Sequence, residues 1–202
     1  IISVLFRMQI DNTSFNDISI FHQEEEFSIF HKLNFTRTVG GREWLRKFFS
    51  EPHNDLKKII GTQKVIRTFM EHVKDWPVDV SNGTVLVMDK FLDYQLDPIS
   101  EAPASFNNLL YRWLHNSDYS MVKYSVPHFA DFFRGIRKIA ELLENMDLPA
   151  NIQLYIDRII GMLKETPLQK LSETEPGQKF SARQNLYFGY HLRGRYKTNT
   201  LE

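Results

Sequence analysis

The residues best suited to meet a charged ligand lie towards the C-terminal end. Between residues 176 and 199 stand Lys179, Arg183, Arg193, Arg195 and Lys197 with no Asp or Glu, a local charge of +5. Phe180, Tyr187, Phe188, Tyr190 and Tyr196 are interleaved with them. Cations supply affinity for phosphates and aromatic rings stack on bases, so this composition suits a nucleic-acid-facing element. It also describes a helix with a Phe/Tyr core face and a solvated basic face. Reading a groove would need an Arg or Asn fork on a rigid helix, and Gly189 and Gly194 are expected to soften this one.

Other clusters carry less chemistry. His22, Glu24, Glu25, Glu26 and His31 are the densest set of potential metal ligands. On a helix, however, Phe27 and Phe30 would face inward and leave the carboxylates on a solvated first turn that complements the helix dipole. Gly40 and Gly41 resemble a phosphate-cradling turn, but no GxxxxGK[ST], GxGxxG or HExxH pattern accompanies them. No catalytic residue, metal ligand or cofactor is therefore assigned within the chain. The absence of Cys excludes disulfides, Cys-ligated zinc and a Cys nucleophile, and favours a reducing, cytoplasmic setting.

Twenty-five basic residues balance 25 acidic ones, so any nucleic-acid contact must come from a local patch rather than from the whole surface. At 202 residues and 42% apolar content, the chain can form one sizeable core or two small ones. Residues 1–10 are apolar but too short to span a bilayer. Leu201 and Glu202 look like the remnant of a C-terminal tag junction, so the natural chain is expected to continue past Thr200.

The elements that must position these groups read as helices. Asn54 or Asp55 can cap a helix with apolar positions Leu56, Ile59, Ile60, Ile66, Phe69, Met70 and Val73, ended by Trp76-Pro77. Pro127 suits a first helical turn, followed by a stripe of Phe129, Phe132, Phe133, Ile136, Ile139, Leu142, Leu143 and Met146. After Leu148-Pro149, the positions Ile152, Tyr155, Ile156, Ile159, Ile160 and Leu163 repeat the pattern, predicting an antiparallel neighbour. Weaker helices are predicted at 24–33, 39–49, 86–95 and 105–114, and loops at 97–103 and 172–178. Period-two alternation is confined to residues 1–10, where one short strand is an alternative to an internal start. The expected class is all-α, a multi-helix core with long lever-type helices, divided into units at 1–97 and 98–200.

Residues 36–52 carry a recognisable pattern: Thr36, Thr38, Gly41 and Leu45, then Phe48, Phe49 and Pro52. This resembles the core-domain signature of the MutS family of DNA mismatch-repair ATPases, T-x-T-x-x-G-x-x-x-L followed by an aromatic, an aliphatic residue and Pro. Phe48 stands where the family usually has Trp, and Phe49 where it has Leu. Upstream, Asp11 and its neighbours at 10–20 resemble the family's L-D-x-x-T-x-x-x-L-E-L stretch, with Ser14 for Thr and Ser19 for Glu. Downstream, residues 55–69 resemble the helix that follows. The match covers residues 10–69; beyond it there is only helical character, as a lever region would show.

The signature also has a reading of its own. Thr36 or Thr38 can cap a helix, Gly41 allows close approach, and Trp44, Leu45, Phe48 and Phe49 would form the buried face. Pro52 ends the helix. On that reading Trp44→Ala would cost about 3–5 kcal/mol. The resemblance implies a dimeric ATPase that encloses DNA, with ATP and Mg held in a domain absent here, and with this segment coupling nucleotide state to DNA binding without an active site of its own. The competing expectation is a helical scaffold whose Phe-rich grooves accept a partner helix.

Overall fold

The computed structural model describes residues 19–22, 24–100 and 105–196, with the backbone alone at 25, 105, 106, 108, 195 and 196. The strand alternative at 1–10 and the stretch containing Asp11 lie outside these residues. Among the described residues all regular structure is helical, and no helix is long and apolar enough to cross a membrane. The chain divides into two compact units, Ile1–Val73 and Lys74–Glu202. The division falls earlier than the expected 97/98 because the helix Asn82–Asp93 packs on the later helix Asn116–Leu143.

In the first unit, a 3-10 turn at Glu25–Phe27 leads into helix α1 (Ile29–Leu33). Ser28 caps α1, its Oγ accepting from the His31 N–H at 3.0 Å, which satisfies a donor that the helix start would otherwise leave open. Phe30 is fully buried against the rings of Phe21 and Phe49, with centroids at 5.3 and 6.3 Å. The Arg46 guanidinium lies 4.6 Å from the centre of the Phe21 ring, a cation–π contact that closes this small cluster.

Helix α2 (Val39–Ser50) meets that cluster only along the ridge of Gly41, Leu45 and Phe49, which are half-buried. Trp44 is 71% exposed and Phe48 44%, so the four-residue buried face expected from the sequence is corrected to two half-buried side chains, Leu45 and Phe49. The reason is geometric: positions 44 and 48 form the next ridge round the helix, and Phe21 and Phe30 reach only the first. Helix α3 (Leu56–Glu71) is capped by Asp55, whose Oδ1 accepts from the Lys57 N–H at 2.8 Å. It ends at Glu71, before the expected stop at Trp76-Pro77.

The second unit is built around one long helix. Helices α4 (Asn82–Asp93), α5 (Ser105–Leu114), α7 (Ala150–Leu163), α8 (Thr166–Ser172) and α9 (Ala182–Tyr196) all pack on α6 (Asn116–Leu143). The core joins Val122, Val126, Phe129, Ala130 and Phe133 of α6 to Phe91, Leu163, Leu168, Leu171, Phe188 and Leu192. Pro127, expected at a first turn, lies inside α6 instead. An interior Pro costs about 3 kcal/mol through one lost hydrogen bond and a ring clash, and the buried side chains on both sides of it, Val122, Val126, Phe129 and Ala130, offset that.

A close fit and a capped helix start hold α9 in this arrangement. A Cβ at Gly189 of α9 would stand 2.7 Å from Val122 Cγ1, so the glycine expected to be a soft point is a site of helix-to-helix contact. The start of α9 is a reciprocal box: Ser181 Oγ accepts from the Gln184 N–H at 3.3 Å and Gln184 Oε1 from the Ser181 N–H at 2.8 Å.

A buried polar tie completes the unit. Arg134 donates to Asp79 Oδ1 at 3.0 Å, to the Asp131 carboxylate and to the Thr174 carbonyl at 3.3 Å, while Lys138 Nζ reaches Asp79 Oδ2 at 3.0 Å. Gly135 gives the segment of Asp79 and Val80 room, since a Cβ there would meet Val80 Cγ2 at 2.6 Å. Burial raises the Asp79 carboxyl pKa, but hydrogen bonds and charges from Lys138 and Arg134 outweigh it and hold it below its ordinary value. A lowered folded-state pKa contributes stability that is present above the unfolded value and is lost as pH falls through the folded one.

Gly189→Ala is expected to destabilise the second unit by about 1–3 kcal/mol, with partial recovery in the Gly189→Ala/Val122→Ala double variant. Urea denaturation checks both, and equal loss in the single and double variants would refute the close fit. Asp79→Asn is expected to lower stability at neutral pH and to flatten its decline below about pH 4. Melting temperatures of both proteins across the acid range test this, and an unchanged acid slope counts against the tie.

Candidate functional site

The sequence singles out two groups, and the structure treats them differently. At the start of α2, Thr38 has extended backbone (φ −128°, ψ 154°) and its Oγ1 accepts from the Gly41 N–H at 3.1 Å. A Cβ on Gly41 would lie 3.0 Å from Thr38 Oγ1 and 3.4 Å from Thr36 Cβ. Thr36 does not cap the helix; its hydroxyl donates to Asn34 Oδ1 at 2.6 Å. Thr36, Thr38 and Gly41 thus form one tight turn.

At the other end of α2, the Glu51 N–H donates to the Lys47 carbonyl at 3.0 Å and Pro52 follows outside the helix. Phe48 sits edge-on to Phe49 and to the His53 ring. Trp44 projects outward with Lys47 Nζ 5.4 Å from its ring centre.

The basic stretch does not form one face. Lys179 and Arg183 are exposed, but Arg193 is turned into its own unit, donating through Nη1 to the Phe91 and Leu92 carbonyls at 3.0 and 3.4 Å. These belong to the last turn of α4, whose carbonyls lack partners within the helix, so Arg193 acts as a C-terminal cap. Arg195 lies on the α9 backbone and Lys197 beyond it, and neither side chain is among those described. Phe188 is buried in the core, with Phe180 and Tyr187 packed against it, so these rings are committed to packing rather than open to bases.

Among the described residues, one further polar group is drawn together that no sequence pattern marks. Asp97, His115 and Asp118 place ligand-type atoms within 4.8 Å of one another. His115 Nδ1 is 2.6 Å from Asp97 Oδ2. Asp118 is buried, and its two oxygens accept from the Asp97 N–H at 2.9 Å and the Tyr94 hydroxyl at 3.3 Å.

Tyr111 stacks on His115 with centroids at 4.9 Å and donates to the Asp97 carbonyl at 3.2 Å. Burial, reinforced by Asp118, Asp97 and Tyr94, pushes the Tyr111 pKa up to about 12 and keeps it a donor. Two carboxylates and an imidazole are a set a divalent cation can use. With both Asp118 oxygens already accepting, the cluster works here as a polar joint that pins residues 94–99 to the first turn of α6. Its members lie 18 and 21 positions apart, so no local motif announces it.

Removing the buried Asp118 carboxylate deprives the Asp97 N–H and the Tyr94 hydroxyl of their acceptor, so Asp118→Ala is expected to cost about 1–3 kcal/mol. Trp44→Ala, at an exposed position, is expected to change stability by less than about 0.5 kcal/mol. Urea unfolding of the two variants reads both. A silent Asp118→Ala, or a Trp44→Ala as damaging as a core deletion, would contradict these assignments.

Set beside known proteins, the chain matches no family model, no curated protein and no solved structure.

Proposed function

We propose that this chain is the helical core and part of the lever of a MutS-like DNA-binding ATPase of mismatch repair. In that role it is a mechanical link and not a catalyst. The observation that carries the reading is the turn at the start of α2. The Thr, Thr and Gly of the signature stand where each has a physical role, because Thr38 caps the helix, Thr36 flanks it, and Gly41 leaves room for both. The rigid pair α6 and α7 supports a lever role, since force is transmitted through packed helices rather than through loops.

In this proposal ATP and Mg belong to a domain outside the chain, the parent is a cytoplasmic dimer, and DNA is the partner. Contact with DNA falls to Lys179 and Arg183, the two described cations of the basic stretch that stay exposed. A second reading, a helical interaction module without a DNA role, is favoured by the exposed aliphatic side chains of α3.

Fluorescence anisotropy of a labelled DNA duplex against the intact chain separates the two. The DNA reading expects affinity to fall steeply with salt, and Lys179→Glu/Arg183→Glu to weaken binding and reduce the salt slope by about two, close to one per lost phosphate contact. Unchanged binding in that variant would remove DNA from the role of this segment. The family reading further requires a GxxxxGK[ST] loop in the natural sequence beyond Thr200, and its absence would sink the reading whatever the binding result.

A further inference from the structure

Helix α3 turns its most apolar side outward. Leu56, Ile59, Ile60, Ile66 and Met70 recur at helical spacing on one face, and four of them are 47–69% exposed: Leu56 68%, Ile60 55%, Ile66 47% and Met70 69%. The half-buried positions Gly61, Val65, Thr68 and Phe69 lie on the other side. A helix whose large aliphatic side chains face solvent while its glycine and threonines face inward has a docking face that is unpartnered among the described residues.

The charge beside that face points to what would cover it. The helix carries Lys57, Lys58, Lys64 and Arg67 against Glu71 alone, a net charge of +3. Lys57 and Lys64 flank the aliphatic stripe on the side of Ile60, Arg67 falls within it between Leu56 and Ile60, and Glu71 shares that side, which keeps a net positive charge. None of Lys57, Lys58 and Arg67 is paired with a carboxylate among the described residues.

We infer that the outer face of α3 binds an amphipathic helix of a partner, with an aliphatic stripe that packs on Leu56, Ile60, Ile66 and Met70 and with Asp or Glu placed to meet Arg67 within the stripe and Lys57 beside it. Helix-in-groove recognition of this kind draws affinity from apolar burial and orientation from charge. A second copy of the chain is disfavoured because a two-fold interface would set two cationic edges together. Duplex DNA would leave the aliphatic stripe without an apolar partner. The stripe also lacks the Trp and Phe that seat helices in lipid headgroups. The inference stands apart from the DNA reading, since it uses neither Lys179 nor Arg183.

Two labelled synthetic helices with the same leucine stripe, one flanked by Glu and one by Lys, test it against the intact chain by anisotropy. The Glu peptide is expected to bind at least about tenfold more tightly than the Lys peptide. Ile60→Asp/Ile66→Asp is expected to abolish that binding with little change in melting temperature, since both positions are exposed. Lys57→Glu/Arg67→Glu is expected to reverse the preference, a gain of binding that misfolding cannot mimic. Equal affinity for the two peptides, or a preference unmoved by charge reversal, would overturn the inference. So would stripe-dependent binding of anionic phosphatidylserine vesicles, duplex DNA or a second copy that exceeds binding of the Glu peptide.

Discussion

Helix α6 is enclosed by its neighbours, and the second unit depends on that enclosure. Its buried residues recur from Tyr119 to Leu143 and meet five other helices, so no single face of it can be called the core face. Burial on this scale explains how Pro127 is tolerated in mid-helix: a local cost of a few kcal/mol is small against the removal of several Phe and Val side chains from water. It also explains why the polar ties converge on α6. Asp118 holds the segment after α4, Arg134 and Lys138 hold the segment before it, and Arg134 also holds the loop after α8. Asp118 and Arg134 are charged groups that would be costly to bury alone and are stable where each has several partners, while Lys138 reaches Asp79 from the exposed side.

The first unit follows a different logic. Its described interior is little more than Phe30 with the rings of Phe21 and Phe49 and the guanidinium of Arg46. Such a cluster orients α1 and α2 but leaves Trp44, Phe48 and the outer side of α3 in solvent. Local devices hold the helices in place of a large core: Ser28, Thr38 and Asp55 each cap the helix that follows. A segment with well-defined helix starts and uncovered apolar faces is suited to assembly with something else. The proposed docking face on α3 rests on that property.

Much of the helical framework is legible in the sequence, because periodicity and caps are local. The Asp55 cap, the break at Leu148-Pro149 and the stripe through α7 read directly from spacing. What cannot be read is anything set by distant partners. The apolar period of α3 marks a face but not whether that face is covered. Arg193 looks like a free cation until the α4 carbonyls are placed beside it. Gly189 looks like a weak point until Val122 fills the space above it. Asp79 meets Arg134 and Lys138 across 55 and 59 residues, and no one-dimensional pattern links them. Helix α8 escapes notice although Pro167 stands in its first turn, because its seven residues are too few to establish a period.

Amide hydrogen exchange on the intact chain tests the central contrast most directly. If α6 is closed off by its neighbours while the outer face of α3 is uncovered, the α6 amides around Val122 to Phe133 should exchange only through global unfolding of their unit. Those of α3 should exchange faster, through local opening. Protection of α3 equal to that of α6, or rapid exchange within α6, would contradict the account.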